Sequence, residues 1–455
     1  MMYRSAIEFL KEWKNRKSRK PLVIRGARQV GKTYTVRMLG DEFKYYLEIN
    51  LETDFKISSF FENNSPQEII DLLSLQYNTQ IIPGETLVFF DEIQAAPELF
   101  AQLRYFYEKM PSLHIIAAGS LLEFILQDHE FSMPVGRIEY MHLGPMSFSE
   151  FLISCGNESL NKYIKSYLIT DSFHEPIHDK LLSLFKKYIV IGGMPESIKT
   201  YIESKSYMQC DRIKSNIIAT YIDDFNKYKK RINHRQLTNI FKALPSQIAK
   251  KVKYTNISRE YRSTDISNIL NMFYLSRICY PVYHSASHGI PLRAEMNTKI
   301  FKLLFLDIGL LCSLLDLTMS NITDTDTISL VNSGVLSEQF IGQHLLYRKD
   351  YFYEPELHYW NRESSGSSSE VDYVISHGTR IVPVEVKAGT SGTLKSLHLF
   401  IKERNLVSGV RVNLDTPSLV RCNGKLPTGD KYDYALLSLP CYMVSEITRI
   451  IDEIL

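Results

Sequence analysis

Residues Gly26, Ala27, Arg28, Gln29, Val30, Gly31, Lys32 and Thr33 read GARQVGKT and follow the apolar run Pro21-Leu22-Val23-Ile24. The spacing is G-x-x-x-x-G-K-[ST], placed where a buried strand runs into a glycine loop and then a helix. Glycines let backbone N–H groups close around phosphate oxygens without a Cβ in the way. A helix opening directly after the loop adds unpaired N–H groups and a favourable dipole for an anion. On this reading Lys32 reaches the β- and γ-phosphates of a nucleoside triphosphate, and the Thr33 hydroxyl takes a Mg²⁺ position. The competing reading is a plain glycine turn between strand and helix.

A second chemical feature decides between the two. Thr86-Leu87-Val88-Phe89-Phe90-Asp91-Glu92 is a hydrophobic strand ending in two carboxylates. In P-loop ATPases an Asp at this place holds the Mg²⁺ shell, and a neighbouring Glu can polarise the attacking water as a general base. Asp91 is assigned to the metal and Glu92 to the water. Alone, the pair reads as solvated acids at a strand end; together with GARQVGKT it reads as catalytic. Ser120, at the tip of the run His114–Ala118, is the candidate γ-phosphate sensor. Arg137, after Gly136, is a candidate for stabilising transition-state charge, in trans from a neighbouring copy in an oligomer.

These residues need a scaffold, and strand-like runs at Leu22–Ile24, Tyr45–Ile49, Leu87–Phe90 and His114–Ala118 alternate with helix-like segments at Tyr34–Leu39, Pro66–Leu75 and Pro97–Lys109. The alternation predicts an α/β fold, a parallel sheet with helices on both faces. Its ligand site lies at the carboxyl ends of the strands, where both motifs fall. An amphipathic helix over 5–16 carries Ile7, Phe9, Leu10 and Trp13 near one face. Residues 147–210 read as helical, broken at Ile191-Gly192-Gly193-Met194-Pro195-Glu196, and suggest a lid.

The 211–330 stretch differs. Ser263–Leu270 and Asn271–Ile278 suggest a helical hairpin or helix–turn–helix, and Ile278–Tyr283 with Lys299–Leu306 suggest a two-stranded wing. Helices followed by such a wing make a winged helix, used both as a DNA reader and as a protein-docking module. From Phe225 to Arg259 the chain holds ten cationic residues and no acid: Lys227, Lys229, Lys230, Arg231, Arg235, Lys242, Lys250, Lys251, Lys253 and Arg259. The Lys227–Lys253 run reads as a footprint for a polyanion such as DNA, or as a solvated helix face.

The C-terminal third carries a further constellation. Val382, Val384 and Val386 alternate with Glu385 and Lys387, and Asp372 stands twelve intervening residues before Glu385. Glu370 and Asp372 share a face opposite Val371, Tyr373 and Ile375. Adjacent strands can set Asp372, Glu385 and Lys387 in one cluster, in which two carboxylates hold a divalent metal and the lysine orients a water. The surrounding order is a helix at 334–347 carrying Glu338, strands at 357–360, 370–375 and 381–387, a helix at 394–404 and a strand at 409–414. A solvated strand edge with a Glu–Lys pair is the alternative.

Composition adds exclusions. The 455-residue chain is long enough for two to four domains, with 44% hydrophobic and 23% charged residues and a formal net charge of +2. No long uninterrupted apolar stretch predicts a membrane span. The first twenty residues are interrupted by Glu8, Lys11 and Glu12, unlike a signal peptide. Six scattered cysteines with no C-x-x-C pair fit a reducing compartment, so the cytoplasm is expected.

With these residues in view, the chain resembles a bacterial and archaeal family that joins an AAA+-type ATPase domain to a C-terminal domain related to restriction endonucleases. GARQVGKT, LVFFDEIQ, AAGS, GRIEYMHLGPMSFSEF and GGMPE look like the ATPase half; LDIGLL, GVLSEQF, HYWNRE, EVDYVI and PVEVKAG look like the C-terminal half. The match spans roughly residues 5–405. It implies ATP binding through Gly31, Lys32 and Thr33, with Asp91 and Glu92 in the second motif, and a PD-(D/E)xK nuclease-like α/β domain in the C-terminal half. Together with the elements read above, the expected division is a P-loop NTPase core over 1–145, a helical lid over 146–210, a basic winged-helix-like region over 211–330 and the nuclease-like domain over 331–455. It also implies ATP and Mg²⁺ as cofactors and a fold bearing Asp372, Glu385 and Lys387. One departure stands out: the residue before Asp372 is Val371, where the endonuclease pattern has Pro. The functional expectation is an ATPase acting on or near DNA. The alternative is a nucleotide-dependent switch or scaffold whose nuclease-like part binds a protein partner without turnover. A P-loop kinase leaves the C-terminal constellation without purpose.

Overall fold

The computed structural model describes residues 2–120, 136–225, 233–317, 334–364, 367–387 and 393–454. Near the N-terminus, β1 (Leu22–Arg25), β2 (Tyr45–Asn50), β3 (Thr86–Asp91), β4 (His114–Gly119) and β5 (Glu139–His142) form a parallel sheet in the order β2-β3-β4-β1-β5. Its central strands β3 and β4 are buried along their whole length, which is why they read as unbroken apolar runs rather than alternating ones. Helices Lys32–Gly40, Pro66–Tyr77 and Glu98–Lys109 form where the sequence placed them. The N-terminal helix Ala6–Asn15 buries Ala6, Ile7, Leu10 and Trp13, while Phe9 is only half-buried. Parallel order puts the ends of β1, β3 and β4 side by side at one edge of the sheet.

Helices Phe148–Ser154, Glu158–Ser166, Glu175–Ile191, Pro195–Ser204 and Tyr207–Asp224 follow. Ser147 and Glu150 cap the first of them reciprocally, side chain to backbone in both directions, so the serine of GPMSF serves as a helix start. Ser263–Leu275 is one continuous helix, not the expected hairpin. No Gly or Pro separates Leu270 from Asn271, and Ile266, Ile269, Leu270 and Phe273 keep one apolar face buried across the supposed turn.

A second sheet is mixed: β6 (Cys279–Ser285), β7 (Met296–Phe305), β8 (Leu357–Ser364), β9 (Ser367–His377), β10 (Arg380–Val386), β11 (Ser408–Asn413), β12 (Ser418–Lys425) and β13 (Lys431–Pro440). The order is β12-β13-β11-β10-β9-β8-β6-β7. The antiparallel β6–β7 hairpin is the expected wing, but β6 also pairs in parallel with β8 through Val282 and Leu357. One sheet therefore runs across the expected division at 330, and the wing belongs to the same layer as the C-terminal strands. Helices Gly334–Leu346 and Lys395–Glu403 and strands β8 to β11 form where the sequence placed them; β10 and β11 are parallel, and the helix Lys395–Glu403 lies in the crossover that a parallel pair needs. Past residue 415, where no motif was legible, β12 and β13 make an antiparallel pair and β13 continues the sheet alongside β11. Among the described residues no helix is long and apolar enough to cross a membrane.

Candidate functional site

The Gly26–Thr33 loop joins β1 to the helix Lys32–Gly40. Gln29 and Gly31 take left-handed backbone conformations, with φ of 62° and 90°. The Gly31 value is one that side-chain-bearing residues rarely adopt, so the glycine is required by the turn. Gly26 is required by proximity: a Cβ there would collide with the carbonyl oxygen of Leu143, just past β5. Lys32 is buried, and its Nζ donates to the carbonyls of Gly26 (3.1 Å) and Ala27 (2.8 Å). The lysine thus holds its own loop together while standing over the space that phosphates would enter.

Thr33 Oγ1 donates to Asp91 Oδ2 at 2.6 Å, bringing the two motifs into direct contact. Asp91 ends β3; burial, with the neighbouring Glu92 charge also unfavourable, pushes its carboxyl above the usual range. Its other oxygen accepts the Glu92 N–H at 3.0 Å. A hydroxyl and a carboxylate oxygen in contact at the mouth of the loop are hard donors of the kind Mg²⁺ prefers, so these residues fit the ion. Glu92 has φ of 53°, an uncommon conformation for a residue with a side chain, and Gln94 Nε2 donates to its Oε2. Ser120 follows β4 and is 2% exposed, and its Oγ has no hydrogen-bond partner among the described residues. Arg137 is not brought to this loop; its Nε contacts Glu108 Oε1 at 3.2 Å on the helix Glu98–Lys109.

Sequence reading missed what surrounds the loop. Arg28, a variable position in the motif, pairs through Nε with Asp224 Oδ2 at 2.6 Å, and Tyr221 Oη donates to the Arg28 carbonyl at 2.8 Å. Both partners lie on the helix Tyr207–Asp224. The Gly192–Glu196 break is equally engaged. Gly193 N–H donates to Asp307 Oδ2 at 2.6 Å, the Gly193 carbonyl accepts from Met146 N at 2.7 Å, and Pro195 begins the next helix beside Gly31. Asp307, of LDIGLL, is fully buried and also caps the helix Ile308–Leu314 through Gly309 and Leu310. The family-like motifs GPMSF, GGMPE and LDIGLL thus form the joint between the loop and the rest of the chain. Apart from the resemblance they carry, their local sequence signal was a glycine-rich break and an Asp before an apolar run.

In the C-terminal half Asp372, Glu385 and Lys387 do come together. Asp372 Oδ2 accepts the Val386 N–H at 2.7 Å, across from the strand carrying Glu385, and Lys387 Nζ lies 2.7 Å from Glu385 Oε1. Glu338 joins them, and burial first, then the Asp372 charge, pushes both Glu338 and Glu385 up to about 8. An unexpected member is Lys302 of β7, 2% exposed, whose Nζ is 3.3 Å from Glu338 Oε2 and 3.7 Å from Asp372 Oδ1 and also contacts Glu370. Burial disfavours its charge, but the carboxylates of Glu338, Asp372 and Glu370 outweigh burial and hold the ammonium well above its ordinary pKa. Among the described residues, no group of three or more His, Cys, Asp and Glu side chains is arranged to hold a metal ion.

Of the basic run, Lys227, Lys229, Lys230 and Arg231 lie outside the described residues. Arg235, Lys242, Lys250, Lys253 and Arg259 are exposed, and Lys251 is half-buried.

Residues 18–152 match a family described as an AAA domain. This stretch is an AAA-type P-loop ATPase domain. Residues 182–321 and 333–442 match two further families, each described as a domain of unknown function, DUF8612 and DUF4143. Among curated proteins none matches the chain. Solved structures similar to it include the Walker-type ATPase PABY2304 of Pyrococcus abyssi, at 15% identity over 69% of this chain and 96% of that one, with a TM-score of 0.44. The Aeropyrum pernix ORC2 protein is similar at 13% identity over 70% and 95% of the two chains, with a TM-score of 0.34. Drosophila ORC bound to DNA is similar at 11% identity over 68% and 84%, with a TM-score of 0.23.

Proposed function

We propose that this protein binds and hydrolyses ATP at the Gly26–Thr33 loop and uses the nucleotide state to change how its middle region contacts DNA. The observation that carries the reading is the 2.6 Å contact between Thr33 and Asp91, which brings loop and strand end into one site beside Glu92; Ser120, whose hydroxyl has no hydrogen-bond partner among the described residues, follows the neighbouring strand. Backbone N–H groups of residues 28–33 would cradle the phosphates, Lys32 would leave its loop carbonyls for the β- and γ-oxygens, and Thr33 with Asp91 would hold Mg²⁺. The ion supplies charge neutralisation across the phosphates. Glu92, fixed by Gln94, would take the proton of the attacking water. Arg28, with Asp224 and Tyr221, offers the route by which the loop's state reaches the helix leading into the basic region. Titrating Mg-ATP into the purified chain in a calorimeter tests the base of this account: saturable binding of one nucleotide per chain is expected, and no heat from adenine or guanine nucleotides overturns it.

The DNA contact is supported by the exposed Arg235, Lys242, Lys250, Lys253 and Arg259. Each phosphate neutralised adds a slope of about −0.9 to the dependence of log affinity on log salt. Five such contacts predict that duplex affinity falls roughly two to three orders of magnitude between 50 and 200 mM salt. Fluorescence anisotropy with labelled duplex reads this directly; affinity that ignores salt, or that survives replacing all five by Ser, removes DNA from the account. Arg137 is proposed to act on a neighbouring copy's nucleotide.

A further inference from the structure

The acidic cluster of the C-terminal half has the residue types of a divalent-metal site, yet its interior already holds a cation. Lys302 leaves β7 within the buried run Phe301–Phe305 and passes the ring of Tyr359, with Nζ 5.2 Å from the ring centroid. It ends among three carboxylates from two other elements: Glu338 on the helix Gly334–Leu346, and Glu370 and Asp372 on β9. An ammonium at 2% exposure needs partners that offset its lost hydration, and these three carboxylates supply them. The remaining oxygens are only partly committed: Glu385 Oε2 is buried with no hydrogen-bond partner among the described residues. Asp372 Oδ2 takes the Val386 N–H, and Glu385 Oε1 takes Lys387.

A divalent ion bound by Asp372 and Glu385 would have to sit beside this ammonium. The repulsion between them acts through a desolvated interior, where charges interact far more strongly than in water. We infer that Lys302 is the resident cation of this cluster, so that the C-terminal half has no divalent-metal site, cuts no phosphodiester, and is instead fastened by this ion-pair cluster to the β6–β7 hairpin. The two partners come from different matched segments, Lys302 from residues 182–321 and the carboxylates from residues 333–442. The cluster therefore joins the wing to the C-terminal strands at a second point besides the β6–β8 pairing.

Titration of MnCl2 into the nucleotide-free full-length chain tests this without reference to ATP, because Thr33 and Asp91 are unchanged in every arm. Wild type and Asp372→Asn are expected to give superimposable Mn²⁺ isotherms. Lys302→Ala is expected to gain one Mn²⁺ site at least tenfold tighter than any in wild type, and the Lys302→Ala/Asp372→Asn double variant to lose it. A Mn²⁺ site present in wild type and absent from Asp372→Asn overturns the inference. So does a folded Lys302→Ala protein that gains no site. Should Lys302→Ala fail to fold, wild type against Asp372→Asn still decides. Plasmid incubated with wild type and Mn²⁺ is expected to stay uncut; nicking that Asp372→Asn lacks counts against the assignment.

Discussion

Lys32→Ala is expected to bring ATP hydrolysis down by at least two orders of magnitude and to remove most Mg-ATP binding. Glu92→Gln is expected to lower hydrolysis by a similar factor while leaving binding nearly intact. The split follows from where each group acts. On the proposed assignment Lys32 would supply positive charge to the phosphates in both ground and transition states, so its loss would show in affinity as well as in rate. Glu92, as the proposed general base, would contribute roughly 10²–10⁴-fold through the water rather than through binding. Single-turnover phosphate release, paired with calorimetric binding, reads both quantities. Lys32 also donates to the Gly26 and Ala27 carbonyls, so Lys32→Ala leaves those oxygens without this donor. Lys32→Met, which fills the same space without charge, separates loss of loop packing from loss of the phosphate contact. If Lys32→Met hydrolyses ATP within threefold of wild type, the loop is not the catalytic site. If Glu92→Gln weakens binding as much as turnover, the water-activating role belongs to another residue.

How much of this was legible before the structure depends on the range of the interactions involved. GARQVGKT and LVFFDE could be read because each is local: strand, turn and helix demand particular residue types within a few positions. Their 2.6 Å contact was then implied by the parallel sheet that both strands enter. β5 was missed because it is only four residues long and half-buried at its start, too short to show a period. The Arg28 clamp was invisible for another reason. Tyr221 lies 193 residues away from Arg28, and nothing local distinguishes its hydroxyl from any other on an amphipathic helix. Lys302 is the plainest case. In sequence it lies within the strand-like run Lys299–Leu306 and carries no local sign of what surrounds it. Only the curling together of β7, β9 and the helix Gly334–Leu346 supplies the carboxylates that make its burial possible. Asp372, Glu385 and Lys387 were placed correctly in one cluster by strand alternation, whereas what fills that cluster was set by tertiary contacts.

Asp307→Ala is expected to destabilise the chain by about 3 kcal/mol. Two terms add. Removing a capping carboxylate costs about 0.5–2 kcal/mol, here from the loss of acceptors for Gly309 and Leu310 at 3.0 and 3.1 Å. Leaving the buried Gly193 N–H without its 2.6 Å acceptor costs a further 1–3 kcal/mol or so. The opposing term is the cost of burying a carboxyl: burial raises the pKa of Asp307, so part of its worth is spent on desolvation. Asp307→Asn decides which term wins. The amide retains one acceptor oxygen and carries no charge, so a protein limited by desolvation would be as stable as wild type or more so. The geometry predicts otherwise, because both carboxylate oxygens are in use, and Gln343 Nε2 also approaches Oδ2 at 3.4 Å. Asp307→Asn should therefore fall between wild type and Asp307→Ala in urea midpoint. The Gly193 backbone leads directly to Pro195, which packs beside Gly31, so loosening it should also weaken Mg-ATP binding several-fold without touching any phosphate contact. A change in midpoint unaccompanied by a change in nucleotide affinity would mean that the joint supports the fold alone. A change in both would make Asp307 the buried link through which the nucleotide loop and the C-terminal half hold one another in place.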